Sequence, residues 1–161
     1  KGAALKTGIR YIEEHFQCEY IITMDGDGQH PPARIQDFIT LHQTCPESLL
    51  LGKRKFSASS MPFPRIISNS LSSKLLSLKL KQNIEDSQCG FRLLPKKLWG
   101  IALECNEDGF QFETEFLIRS CKNGYKVKSV PIETIYNGSL STIKKAQDTL
   151  TFIKLYLSTT V

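Results

Sequence analysis

The stretch that most limits how this chain can fold lies at residues 20–28. Tyr20-Ile21-Ile22-Thr23-Met24 is a nearly continuous run of β-forming side chains, and it breaks at once into Asp25-Gly26-Asp27-Gly28. A strand that is apolar on both faces must be covered on both, and Asp-Gly pairs turn the chain sharply. The run therefore predicts a buried strand that delivers two carboxylates to its C-terminal end, where open α/β sheets bind their ligands. Gly26 and Gly28 let the backbone bend until both carboxylates converge.

The rest of the chain alternates helical and extended patterns. Leu5, Ile9, Ile12 and Phe16 predict a helix over 3–16. Pro31-Pro32 opens a helix carrying Ile35, Phe38, Ile39 and His42 on one side. Leu49-Leu50-Leu51-Gly52 reads as a second buried strand. A helix follows from about Arg65 to Leu80, then a strand over 90–94 and a short helix from Pro95. A helix over 112–123 closes at Gly124, a last strand runs through Tyr125, Val127 and Val130-Pro131-Ile132, and an amphipathic helix covers 141–157. This order predicts a single α/β domain over 1–161 with a mostly parallel sheet flanked by helices.

Composition removes several classes. The five cysteines (18, 45, 89, 105, 121) form no CxxC pair, which argues for free thiols in a reducing compartment rather than a disulfide frame or a zinc site. No apolar run approaches the roughly 20 residues of a membrane span. The net charge of +5 favours anionic partners without choosing among them.

The acidic turn narrows the chemistry further. Counted from Asp25, an EF-hand loop would need Gly at His30 and Glu at Gln36, and that reading fails. An aspartyl phosphohydrolase would use the first Asp as nucleophile, but it wants Thr or Val at Gln29 and a downstream acidic pair; it stays a weak alternative. The third chemistry is glycosyl transfer from a nucleoside diphosphate, with Mg²⁺ or Mn²⁺ on hard oxygen ligands neutralising the departing diphosphate. A plain solvated turn is the bland alternative.

The motif Asp25-Gly-Asp-Gly-Gln-His-Pro-Pro32 resembles the signature of family 2 glycosyltransferases, especially the polyprenyl- and dolichyl-phosphate mannosyl- and glucosyltransferases. Lys1-Gly-Ala-Ala-Leu5, Gly52-Lys-Arg54, Asp86-Ser-Gln-Cys-Gly-Phe-Arg92, Gly109-Phe-Gln-Phe-Glu-Thr-Glu115 and Val130-Pro-Ile132 resemble further blocks of that family, in order. The resemblance implies a GT-A-type sandwich and an inverting transfer of a hexose from a GDP- or UDP-linked donor to a polyprenyl phosphate. It implies a peripheral location on the cytoplasmic membrane face and no nucleic-acid partner. Family members begin with a strand, a nucleotide loop and a second strand before the Lys-Gly-Ala-Ala segment. The chain as given is thus expected to lack the base- and ribose-binding half of the donor site, and to expose a sheet edge along residues 20–24.

The same resemblance assigns residues. Asp27 and Gln29 hold the metal, with Asp25 on the metal or the donor diphosphate. Arg54 and Arg65 take the acceptor phosphate, since guanidinium forks bind its oxygens in pairs, with Asn69 one helical turn beyond Arg65 and Ser141 in a loop that also carries Tyr136. Arg92 binds donor phosphate or braces its own loop. His30 holds the turn, and Cys89 packs. Glu115 is the general base if the acceptor is a saccharide hydroxyl; a phosphate acceptor is already an anion and needs none. The rival reading from another class is an inactive or purely structural nucleotide-sugar-binding fragment. Leu71–Leu80 reads as core or as a surface resting on a membrane.

Overall fold

A computed structural model describes residues 1–55, 63–133, 135, 153, 155 and 156, and at 63–65 the backbone alone. In chain order the elements are α1 (Gly2–His15), β1 (Tyr20–Thr23), a 3₁₀ turn (Pro32–Arg34), α2 (Ile35–Thr44), β2 (Leu49–Arg54), α3 (Phe63–Leu80), β3 (Arg92–Pro95), a second 3₁₀ turn (Lys96–Leu98), α4 (Trp99–Leu103), α5 (Phe112–Lys122) and β4 (Val127–Ile132). Gly124 follows α5 with φ of +85°, the left-handed position that stops a helix. Tyr136, Ser141 and most of the helix expected over 141–157 lie outside the described residues.

The strands form one sheet in the order β1-β3-β2-β4. It is mixed, and the expected mostly parallel GT-A-type sheet is overturned: β3 runs antiparallel to both β1 and β2, and only β2 and β4 pair in parallel. The alternation of helices and strands concealed this. The long α3 between β2 and β3 looks like a crossover, yet the connection returns the chain to the end of the sheet it left, so that Arg92 opens β3 opposite Leu51 of β2 and Thr23 of β1. β1, β2 and β4 still share one direction, with β3 wedged between the first two.

The strands alternate their side chains between two cores. Ile21, Leu49, Leu51, Leu94 and Val127 face α1, α3, α4 and α5, where Ile9, Leu76, Trp99, Phe112 and Phe116 are buried. Leu50, Leu93, Val130 and Ile132 face α2, which contributes Phe38. α3 divides its leucines: Leu76 is core, whereas Ile67, Leu71 and Leu78 are more than half exposed along one side of the helix. β1 stands at one edge of the described sheet, where Ala4, Leu5, Gly8, Ile9 and Ile12 of α1 and residues 21–24 line an apolar groove of about 260 Å³.

Phe38 stacks on Phe91 with ring centroids 4.3 Å apart, both fully buried, and His30 stacks on the same Phe91 at 5.4 Å. The α2 core thus backs directly onto the turn at 25–30. Phe38→Ala should cost about 3–5 kcal/mol in urea unfolding; a loss under about 1 kcal/mol would show that the stack is not a packed core contact.

Candidate active site

Because β3 runs against β1, the residues just before β3 sit beside those just after β1. Thr23 Oγ1 donates to the Gly90 carbonyl at 3.0 Å, and the Asp25 carboxylate lies flat against Gly90. A methyl group at Gly90 would stand 2.5 and 2.6 Å from the two Asp25 oxygens, so this glycine is required by close approach. The Asp25 N–H donates to His30 Nδ1 at 3.1 Å, which leaves the ring proton on Nε2, 3.8 Å from Asp25 Oδ2 and 3.9 Å from Cys89 Sγ. Burial pushes His30 below its ordinary pKa against the pull of Asp25, so it serves the turn as a neutral ring. Asp27 Oδ1 accepts the Gln29 N–H at 3.0 Å, folding residues 27–29 into a tight Asx turn with Gly28 at φ of +73°.

Lys1 completes the clamp. Its Nζ lies 2.6 Å from Asp25 Oδ1 and 2.9 Å from Glu113 Oε2. Burial opposes the Lys1 charge, but Glu113 and Asp25 outweigh it and hold the pKa above the usual lysine value. Glu113, on the first turn of α5, is therefore the α5 carboxylate that joins the turn. Glu115 is placed elsewhere: it accepts the N–H groups of Asn106 (3.0 Å) and Glu107 (2.8 Å) and the Arg119 Nε–H (2.8 Å). Two residues apart on a helix face different ways, and nothing in the sequence alone says which of the pair meets the turn.

The arginines are bound to protein groups. Arg92, 2% exposed, donates to the carbonyls of Cys89 (2.9 Å), Ser87 (3.0 Å) and Glu113 (2.9 Å), bracing its own loop. Arg54 forms a fork with Asp86, Nε to Oδ2 at 2.7 Å and Nη2 to Oδ1 at 3.0 Å. Burial works against the Arg54 charge, and Asp86 more than restores it, raising its pKa. Asp86, 1% exposed, also accepts the Gln88 N–H at 3.2 Å. α3 holds this loop in place: Ser73 Oγ accepts the Ser87 N–H, and Ser77 Oγ accepts that of Ile84, each at 2.9 Å. Cys89 is buried, and burial pushes its thiol up to about 12, which suits a packing residue. Asn69 is buried on α3; the Arg65 side chain and Ser141 lie outside what is described.

The structure brings together Asp25, Asp27, Gln29, His30, Gly90, Lys1 and Glu113, while Arg54 ends β2, one strand beyond β3, and pairs there with Asp86 of the α3–β3 loop. Residues 1–100 match the family described as glycosyl transferase family 2. The chain belongs to that family. It is 32% identical over 142 residues to the uncharacterized protein MJ1222 of Methanocaldococcus jannaschii, covering 84% of this chain and 57% of that protein. It is 28% identical over 143 residues to the uncharacterized protein MJ0544 of the same organism, covering 85% of this chain and 61% of that protein. The chain thus spans about three fifths of the length of these curated relatives.

A divalent ion is common in glycosyl transferase family 2. No group of three His, Cys, Asp or Glu is gathered for a metal among the described residues. The turn instead offers two carboxylates and an amide oxygen, a hard and incomplete shell that fits Mg²⁺ or Mn²⁺ sharing its coordination with a phosphate.

The contact between Asp25 and Gly90 yields a direct prediction. In Gly90→Ala the carboxylate, the movable partner, is the group that yields. The transfer proposed below, measured on the whole protein, should fall about 100-fold, with the urea midpoint little changed. Unaltered kinetics would show that the orientation of Asp25 does not matter.

Proposed function

We propose that this chain is the catalytic part of an inverting hexosyltransferase that uses a GDP- or UDP-linked sugar and a polyprenyl phosphate acceptor. The observation that carries the reading is the Asp25–Gln29 turn at the C-terminal end of β1, held by Lys1, His30 and Gly90 in a chain of glycosyl transferase family 2. Asp27 and Gln29, with Asp25, would hold Mg²⁺ or Mn²⁺, whose charge stabilises the departing diphosphate. Arg54, Arg65, Asn69 and Ser141 take the acceptor phosphate. Its oxygen forms the new bond to the anomeric carbon on the face opposite the breaking bond to diphosphate, and the configuration inverts.

A phosphate acceptor needs no general base, and this agrees with Glu115 being committed to the backbone at 106–107. Arg54 arrives already oriented by Asp86, so its position costs little conformational entropy when phosphate binds. A lipid-linked acceptor is further supported by Ile67, Leu71 and Leu78, exposed along α3, the helix that carries Arg65 and Asn69. No described helix is long and apolar enough to cross a membrane. On this reading the chain works from the cytoplasmic face, with α3 toward the lipid.

The test is transfer by the whole protein, with Mn²⁺ or Mg²⁺, from labelled GDP- and UDP-hexoses to polyprenyl phosphate or to a saccharide. The expected result is a glycosylated lipid phosphate, abolished by Asp27→Ala without loss of fold and slowed by Arg54→Ala by about 2–4 kcal/mol of transition-state stabilisation. Labelled saccharide without labelled lipid would overturn the acceptor assignment, and full activity of Asp27→Ala would overturn the metal assignment.

A further inference from the structure

Lys1 is aimed by its backbone rather than placed by chance on a surface. The N–H groups of Gly2 and Ala3, the first two residues of α1, donate to the carbonyls of Gly109 (3.1 Å) and Asp108 (3.0 Å). Gly2 approaches α5 so closely that a Cβ there would stand 2.6 Å from Phe112 Cβ and 2.8 Å from the Glu107 carbonyl oxygen. This docking carries the lysine ammonium to a point shared by two carboxylates from different elements, Asp25 Oδ1 at 2.6 Å and Glu113 Oε2 at 2.9 Å. Divalent ions bind such oxygens at about 2.0–2.6 Å, so the cradle that holds Nζ matches an ion after a small inward shift.

The charges around the cradle make its occupant consequential. The other oxygen of Glu113 lies 3.8 Å from Arg92 Nε, but the Arg92 hydrogen bonds go to three carbonyls. Without Lys1, Asp25 and Glu113 would face each other with no ammonium between them, next to Asp27 in the same turn.

We infer that Lys1 is a positioning residue: its ammonium is the resident cation of the Asp25–Glu113 pair, holding Asp25 against Gly90 and barring a second divalent ion from that position. The inference rests on the proposed reading of the acidic turn as a metal site. A divalent ion is thereby directed to Asp27, Gln29 and the oxygen of Asp25 that Lys1 does not hold, and the fixed positive charge of Lys1 remains beside it.

Manganese binding by the whole protein tests this without relying on turnover. Free Mn²⁺ is titrated by its electron paramagnetic resonance signal against wild type, Lys1→Met, Lys1→Gln, Lys1→Arg and the double variant Lys1→Met/Glu113→Gln, each checked for fold by circular dichroism. The expected stoichiometry is one ion in wild type and Lys1→Arg, two in Lys1→Met and Lys1→Gln, and one again in the double variant. Wild-type stoichiometry and affinity in both neutral variants would overturn the inference and leave the metal reading standing. No ion in wild type but one in Lys1→Met, lost in the double variant, would support the role of Lys1 and overturn the Asp27–Gln29 assignment. No binding by any variant would overturn both.

Discussion

Thr23 lies opposite Arg92 in the antiparallel ladder of β1 and β3, and this register sets Asp25, two residues past Thr23, beside Gly90, two residues before Arg92. A slip of one residue would move every side chain of β3 to the other face. Arg92 would then leave its three carbonyls for the apolar core of Phe38 and Phe91, and Leu93 would leave that core. The cost falls on Arg92, whose guanidinium would be buried without its acceptors, since Leu93 would only pass from one apolar core to the other. The three carbonyls that hold Arg92 therefore do more than satisfy a buried charge: they fix the register, and with it where the carboxylate of the turn comes to rest.

The loop between α3 and β3 is held in place by electrostatics. Asp86 and Arg92 are almost wholly buried within seven residues, and a buried charge is tolerated only when its hydrogen-bonding capacity is met. Asp86 meets it with the Arg54 fork and the Gln88 N–H, Arg92 with backbone carbonyls from its own loop and from α5. These bonds tie β2, the loop, β3 and α5 into one unit around the end of β1. On the proposed reading, that is the rigidity a transferase needs, because donors aimed in advance lose nothing to reorganisation when charge develops.

How much of this was legible in the residues differs from element to element. The helices α1, α2, α3 and α5 follow from apolar spacing and fall within a few residues of their expected bounds. The turn after β1 was legible because two Asp-Gly pairs, which bend the chain sharply, directly follow an apolar run. Strand direction was not, since β3 carries the same apolar run whichever way it points and α3 imitates a crossover. The partner of Arg54 was hidden too: Asp86 is 32 residues away, and only the return of the chain alongside β2 joins them. Glu113 and Glu115 were indistinguishable by type and spacing, and their division of labour is decided by the rotation of α5, which turns Glu113 toward Lys1 and Glu115 toward the backbone at 106–107.

That rotation makes Glu115 part of the site at one remove. Its carboxylate gathers the N–H groups of Asn106 and Glu107, which fixes the loop whose next carbonyls, on Asp108 and Gly109, receive the first N–H groups of α1. The start of α1 is thereby pinned where Gly2 just clears Phe112, and Lys1 reaches Asp25 from that fixed point. A carboxylate that touches nothing in the acidic turn thus helps set the orientation of one that defines it. The two glutamates of α5 act on Asp25 by different routes, Glu113 through the ammonium of Lys1 and Glu115 through the backbone that aims it.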